Sequence, residues 1–100
     1  MFGTIARMRV KAGHEREIES FDDQAEGARQ AGLVATTVYR SSTDPREYWL
    51  TVIFRDEQSY RANASSPEQD QRFREMMDHL EAEPEWHDGE VVYTYGVSSA

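Results

Sequence analysis

The segment Glu47–Phe54, Glu-Tyr-Trp-Leu-Thr-Val-Ile-Phe, constrains this chain more than any other. It reads as a strand, which sends Tyr48, Leu50, Val52 and Phe54 to one face and Trp49, Thr51 and Ile53 to the other. Neither set suits a face bathed in water, although an antiparallel sheet can have one. Burying one large apolar side chain is worth roughly 1.5–3 kcal/mol. Leaving several exposed would therefore sacrifice much of the roughly 5–15 kcal/mol that holds a domain together. Helices can cover one face. A second copy, packed sheet to sheet as a homodimer, is the economical cover for the other. The simpler alternative is that Trp49 and Ile53 are single exposed apolar residues, which are common.

The rest of the chain supplies the other elements. Phe2 to Val10 is a strand with Phe2, Thr4, Ala6, Met8 and Val10 on one face and Ile5, Arg7 and Arg9 on the other. Lys11-Ala12-Gly13 turns into a helix predicted from about His14 to Gln30, with Ile18, Phe21, Ala25 and Ala28 as its apolar stripe and Gly32 as its stop. Leu33 to Ser41 is a β-branched strand that forms a hairpin with Glu47–Phe54 through the turn at Ser42-Thr43-Asp44-Pro45. Asp56 is a fitting N-cap for a short helix to about Ala64. Ser66, Pro67 and Gln69 open a second helix expected to reach Ala82 before Pro84 closes it, with Phe73, Met76, Met77 and Leu80 on its stripe. Trp86 to Tyr95 reads as the last strand, with a possible break at Asp88-Gly89. The order β-α-β-β-α-α-β predicts an α+β, ferredoxin-like split βαβ: a four-stranded antiparallel sheet with its helices on one face. One domain over residues 1–97 is expected, with a short flexible tail at 98–100.

Composition narrows the functions. The formal charge is −8, which repels phosphate backbones, and the arginines are spread along the chain; nucleic-acid binding is disfavoured. There is no cysteine, so disulfides and thiolate chemistry are excluded, and a cytoplasmic location is expected. The first residues read as a strand and not as a signal peptide, and no apolar run approaches the roughly 20 residues of a membrane span. His14, His79 and His87 are far apart without metal-ligand spacing, so no metal site is expected. A G-x-S-x-G elbow, a P-loop and a G-x-G-x-x-G are all absent. Asp22-Asp23 reads as a solvated helix face.

The run from Val52 through Phe54, Arg55, Asp56, Tyr60, Asn63 and Ser66 to Pro67 resembles the signature of the antibiotic biosynthesis monooxygenase family. It has a strand ending in an aromatic, a short helix, and a Ser-Pro start to the next helix. The resemblance extends in element order and length from Phe2 to Tyr95. It implies a homodimeric α+β barrel with a pocket between sheet and helices in each subunit. It also implies either oxygenases that need no cofactor and act on aromatic polyketides or quinols, or haem-degrading enzymes. Family members often have a Glu where this chain has Val52 and a His where it has Asn63. The positions that handle haem in the degrading branch fall on Ala6, Asn63 and Phe73, all replaced, so haem degradation is not expected.

The candidate site residues follow. Asn63 could donate a hydrogen bond to an oxyanion forming on a substrate, or be a polar residue on an exposed helix end. His79, at the edge of the helical stripe, could act as a base or an axial ligand in the pocket, or be a partly solvated surface histidine. Tyr60, Trp49, Phe73, Met76 and Ala6 are the candidates for substrate contact, the aromatics as stacking surfaces and Met76 as an adaptable wall. Aromatics in strands are more often core or interface. Arg7 and Arg9 could hold an acidic or phenolate substrate, but pairing with Glu or Asp of the other subunit across the dimer interface is the preferred expectation. Three functions compete: a monooxygenase without cofactor acting on a small aromatic or quinol-like substrate, a non-catalytic dimer holding a small apolar ligand, and haem binding through His79 without degradation.

Overall fold

The structure, a computed structural model, describes residues 1–20 and 31–96. The expected helical positions Phe21, Ala25 and Ala28 and the expected tail at 98–100 lie outside the described residues. Strand β1 is Phe2–Arg9, α1 comprises helical residues 15–20, and β2 is Leu33–Arg40. Strand β3 is Glu47–Phe54, α2 is Glu57–Ala64, α3 is Pro67–Met77, and β4 is Glu85–Glu90. The strands form one antiparallel sheet in the order β2-β3-β1-β4, the ferredoxin-like arrangement that the element order predicts.

Register fixes which side chains share a face. Thr4 pairs with Val52 and Asp88, Ala6 with Leu50 and Trp86, and Met8 with Tyr48. The helices cover this face. At one end Met8, Val10, Ile18, Tyr48 and Leu80 form the core, closed by α1. At the other, Tyr60 of α2 packs on Phe2 and Phe54, with ring centroids 5.2 and 5.8 Å apart. The close β1–β3 approach depends on Gly3, where a Cβ would sit 1.8 Å from the Val52 carbonyl oxygen.

Both predicted N-caps form. The Asp56 carboxylate accepts from the Ser59 N–H at 2.7 Å, and the Ser66 hydroxyl accepts from the Gln69 N–H at 3.1 Å. Gly32 has a left-handed φ of 81°, which favours glycine.

Two expectations are corrected. Helix α3 stops at Met77 and not near Ala82, because the following residues turn to meet the end of β1. Leu80 bridges to Val10, the Lys11 N–H donates to the His79 carbonyl at 2.9 Å, and the Glu81 N–H donates to the Arg9 carbonyl at 2.9 Å. A helical stripe and a chain leaving the helix present Leu80 to the core equally well, so periodicity could not tell them apart. Strand β4 ends at Glu90, before the expected Tyr95, because its partner ends there: Glu90 faces Phe2, and the Val91 N–H takes the Met1 carbonyl at 2.9 Å. Nothing of β1 is left to pair with Val92–Tyr95. Within the chain, Arg7 Nε meets Glu47 at 2.6 Å and Arg9 Nε meets Glu81 at 2.9 Å. Arg9 also pairs with Asp44, which holds the Asp44 carboxyl below its ordinary range. No helix among the described residues is long and apolar enough to cross a membrane.

Candidate functional site

A cavity of about 440 Å³ opens between the helix-covered sheet face and α2 and α3. Its floor is the sheet register given above: Thr4, Leu50, Val52, Trp86 and Asp88 all project to this side. The roof comes from α2 and α3, which the Asp56 and Ser66 caps launch in succession from the end of β3. Tyr60 and Asn63, three apart on α2, turn inward together, as do Phe73 and Met76 on α3. The Phe73 and Trp86 rings lie 6.1 Å apart at a tilt of 47°, so helix and edge strand contribute facing aromatic walls.

The polar groups gather in two places. On the first side, the Tyr60 hydroxyl donates to Asp88 Oδ1 at 2.8 Å, and Arg61 Nη1 approaches Asp88 Oδ2 at 3.4 Å. Burial raises the Tyr60 phenol above its ordinary value; the Asp88 bond and charge add to the rise, while the Thr4 hydroxyl and the Arg61 charge pull the other way. Thr4 itself is 5% exposed, and its Oγ1, near enough to the Tyr60 phenol to act on it, completes no hydrogen bond of full geometry among the described residues. A buried hydroxyl without a well-formed hydrogen bond is costly, and a bound water or ligand would relieve it. On the second side, the Asn63 amide donates to Gln69 Oε1 over a long 3.4 Å, while Arg72 Nη2 holds the same oxygen at 2.9 Å. The Ser66 hydroxyl donates to the Asn63 carbonyl at 2.8 Å and so locks the junction between the two helices beside this amide.

Of the residues singled out from sequence, Asn63, Tyr60, Phe73 and Met76 line this cavity together. Ala6, fully buried, lies in the floor between Leu50 and Trp86 without reaching the cavity surface. Trp49 is placed elsewhere: it projects to the opposite sheet face, between Arg7 and Tyr39. His79 is also corrected. With α3 ending at Met77, it falls in the turn beyond, where its Nδ1 meets the Nδ1 of His14 at 2.9 Å and ties the start of α1 to the end of α3. No imidazole lines the cavity, since His87 projects from the opposite sheet face toward Glu85. Among the described residues no three metal-ligating side chains come together.

Sequence reasoning missed Thr4, Gln69, Arg72 and Asp88. For Asp88 a signal existed: it follows Trp86 by two residues and so shares its face. The Asp88-Gly89 pair reads as a break, which hid that alternation. For Thr4 the only signal is one hydroxyl in an otherwise apolar run of inward positions.

Comparison with known proteins agrees with this fold. The family model described as antibiotic biosynthesis monooxygenase matches residues 1–76. No curated protein matches the chain. Among solved structures, a Chloroflexus aurantiacus protein assigned to the antibiotic biosynthesis monooxygenases is 23% identical with a TM-score of 0.78, over 97% of this chain and 98% of its own. SnoaB, a cofactor-independent oxygenase from Streptomyces nogalater, is 20% identical with a TM-score of 0.79, over 94% and 95% of the two chains. A Deinococcus radiodurans protein assigned to the same group reaches a TM-score of 0.80 at only 11% identity, over 98% and 99%. At these identities the structural likeness speaks to the fold alone. With the family model spanning three quarters of its length, the chain belongs to the antibiotic biosynthesis monooxygenase family.

Proposed function

We propose that the protein is a monooxygenase that uses no metal or flavin and acts on a small aromatic or quinol-like substrate held between sheet and helices. The observation that carries this reading is the cavity itself, aromatic-walled and with polar groups at fixed places. Electron-rich phenols and enols react with dioxygen once deprotonated, so the protein need only bind the substrate, exclude water and stabilise the anion. For an anthrone, one oxygen atom of O₂ enters the ring carbon as a carbonyl and the other leaves as water with the two hydrogens of that carbon. The substrate supplies all the electrons. Asn63, only loosely held by Gln69, is the amide that would donate to the developing oxyanion.

Oxygen consumption by the purified protein with a panel of hydroquinones and anthrones tests the reading. Turnover above the no-protein rate is expected, falling by about 10²-fold in Asn63→Ala if the amide serves the oxyanion. Consumption at the no-protein rate for every substrate sinks the oxygenase. It would favour a non-catalytic dimer holding a small ligand, the reading to which Val52 and Asn63 in place of the family's Glu and His already lean. Haem binding through His79 has lost its support, because His79 stands away from the cavity.

The working unit in this reading is a homodimer formed through the open sheet face. Ile5 and Tyr39 on that face are 53% and 58% exposed, with Trp49 and Ile53 half-buried between them. Beyond β4, Val92, Tyr93 and Tyr95 stand largely exposed, with no strand among the described residues to pair with. A contiguous apolar surface of this kind is a usual mark of an interface.

A further inference from the structure

An oxygenase that works by ionising its substrate needs a proton acceptor at the cavity, and the two obvious kinds are absent. All three histidines lie elsewhere, as described above, and the chain has no cysteine. Among the described residues two carboxylates line the cavity, Asp70 and Asp88. Asp70 is taken up by Arg74, whose Nη2 lies 2.8 Å from its Oδ2. Asp88 is held differently. Tyr60 fixes Oδ1 at 2.8 Å, and Arg61 stands at a loose 3.4 Å from Oδ2. The carboxylate is thus oriented by a neutral donor on one oxygen while the other keeps spare lone pairs. Beside it on the sheet floor is the paired residue Thr4, whose buried hydroxyl stands near the Tyr60 phenol without a hydrogen bond of full geometry. The other charged group in the lining is Arg72, committed to Gln69.

Resting on the cavity reading above, we infer that Asp88 is the proton acceptor of this site, oriented by Tyr60, and that the substrate is correspondingly an acidic enol or hydroxyquinone and not a simple phenol. In the step, the substrate O–H bond breaks, its proton forms a new O–H bond on an Asp88 oxygen, and the electron pair stays on the substrate oxygen as an enolate. A carboxylate is a weak base, and proton transfer is efficient only when donor and acceptor are not far apart in acidity. That condition selects substrates whose hydroxyl is acidified by a conjugated carbonyl. Tyr60 is a positioning residue here, since it acts through Asp88.

The assignment predicts a coupled pair. An enolate and a carboxylate side by side cannot both stay ionised cheaply, so one proton is shared between them. The probe is 2-hydroxy-1,4-naphthoquinone, an anion in neutral solution. Calorimetric titration in buffers of different ionisation enthalpy counts the protons taken up on binding. Wild type is expected to take up close to one proton per ligand at neutral pH, and Asp88→Asn, which is isosteric, close to none. Tyr60→Phe should retain the uptake but shift its midpoint to higher pH, because a carboxylate that loses a hydrogen bond holds its proton more readily. Binding without proton uptake in the wild type overturns the Asp88 assignment and leaves the cavity reading standing. So does uptake that survives in Asp88→Asn and vanishes in Asp70→Asn. Failure of the wild type to bind the probe at all overturns the cavity reading and this inference with it.

Discussion

The Tyr60 hydroxyl donates to Asp88 Oδ1 at 2.8 Å, joining helix α2 to edge strand β4 beside the cavity. Strand β4 is exposed along its length, so this bond, with Arg61 on the same carboxylate, fastens an edge that β1 alone would hold. Both partners of that tie line the cavity.

Alkaline pH should loosen it. Tyr60 and Tyr48 are both raised above their ordinary values, chiefly by burial, and each donates to a carboxylate, Asp88 and Glu19 respectively. For an acid whose folded-state value is raised, the native state holds its proton longer than the unfolded chain does. The contribution is complete below the unfolded value near pH 10 and is lost as pH rises from there through the folded value. Denaturant unfolding at increasing pH should therefore show stability falling above about pH 10, and falling less steeply in Tyr48→Phe. A slope unchanged by the substitution would refute the assignment.

Thr4→Val should stabilise the ligand-free protein. The replacement keeps the shape of the side chain and removes a buried hydroxyl that makes no hydrogen bond of full geometry, which is worth about 1 kcal/mol. Urea denaturation would measure it. The same variant should bind the hydroxyquinone probe several-fold more weakly if that hydroxyl serves the ligand. A variant that is less stable than wild type would mean that Thr4 Oγ1 is satisfied after all.

Trp49→Glu tests the dimer. A carboxylate placed among Tyr39, Arg7 and Thr51 on the open face would have to be desolvated in a sheet-to-sheet interface. Sedimentation should give the mass of two copies for wild type and of one for the variant, with the fold intact by circular dichroism. A monomeric wild type would remove the dimer from the reading.

Much of the fold was legible because its determinants are local. Strand alternation in Phe2–Arg9 and Glu47–Phe54, the capping side chains Asp56 and Ser66, and Gly32 each express a short-range preference. The pocket candidates on α2 and α3 were legible for the same reason: Tyr60 with Asn63, and Phe73 with Met76, share a helix face by spacing. His79 was misjudged because its position depends on where α3 stops, and β1 decides that by capturing Leu80.

By itself, then, the sequence determined the elements, their order and the presence of two apolar sheet faces, since these follow from periodicity and backbone preference. Only the tertiary structure decided which face is roofed by helices and which stays open, where β4 runs out of partner, and that Asp88 meets Tyr60. Those depend on register between segments far apart in the chain, and a one-residue slip would have turned Thr4 and Asp88 away from the cavity.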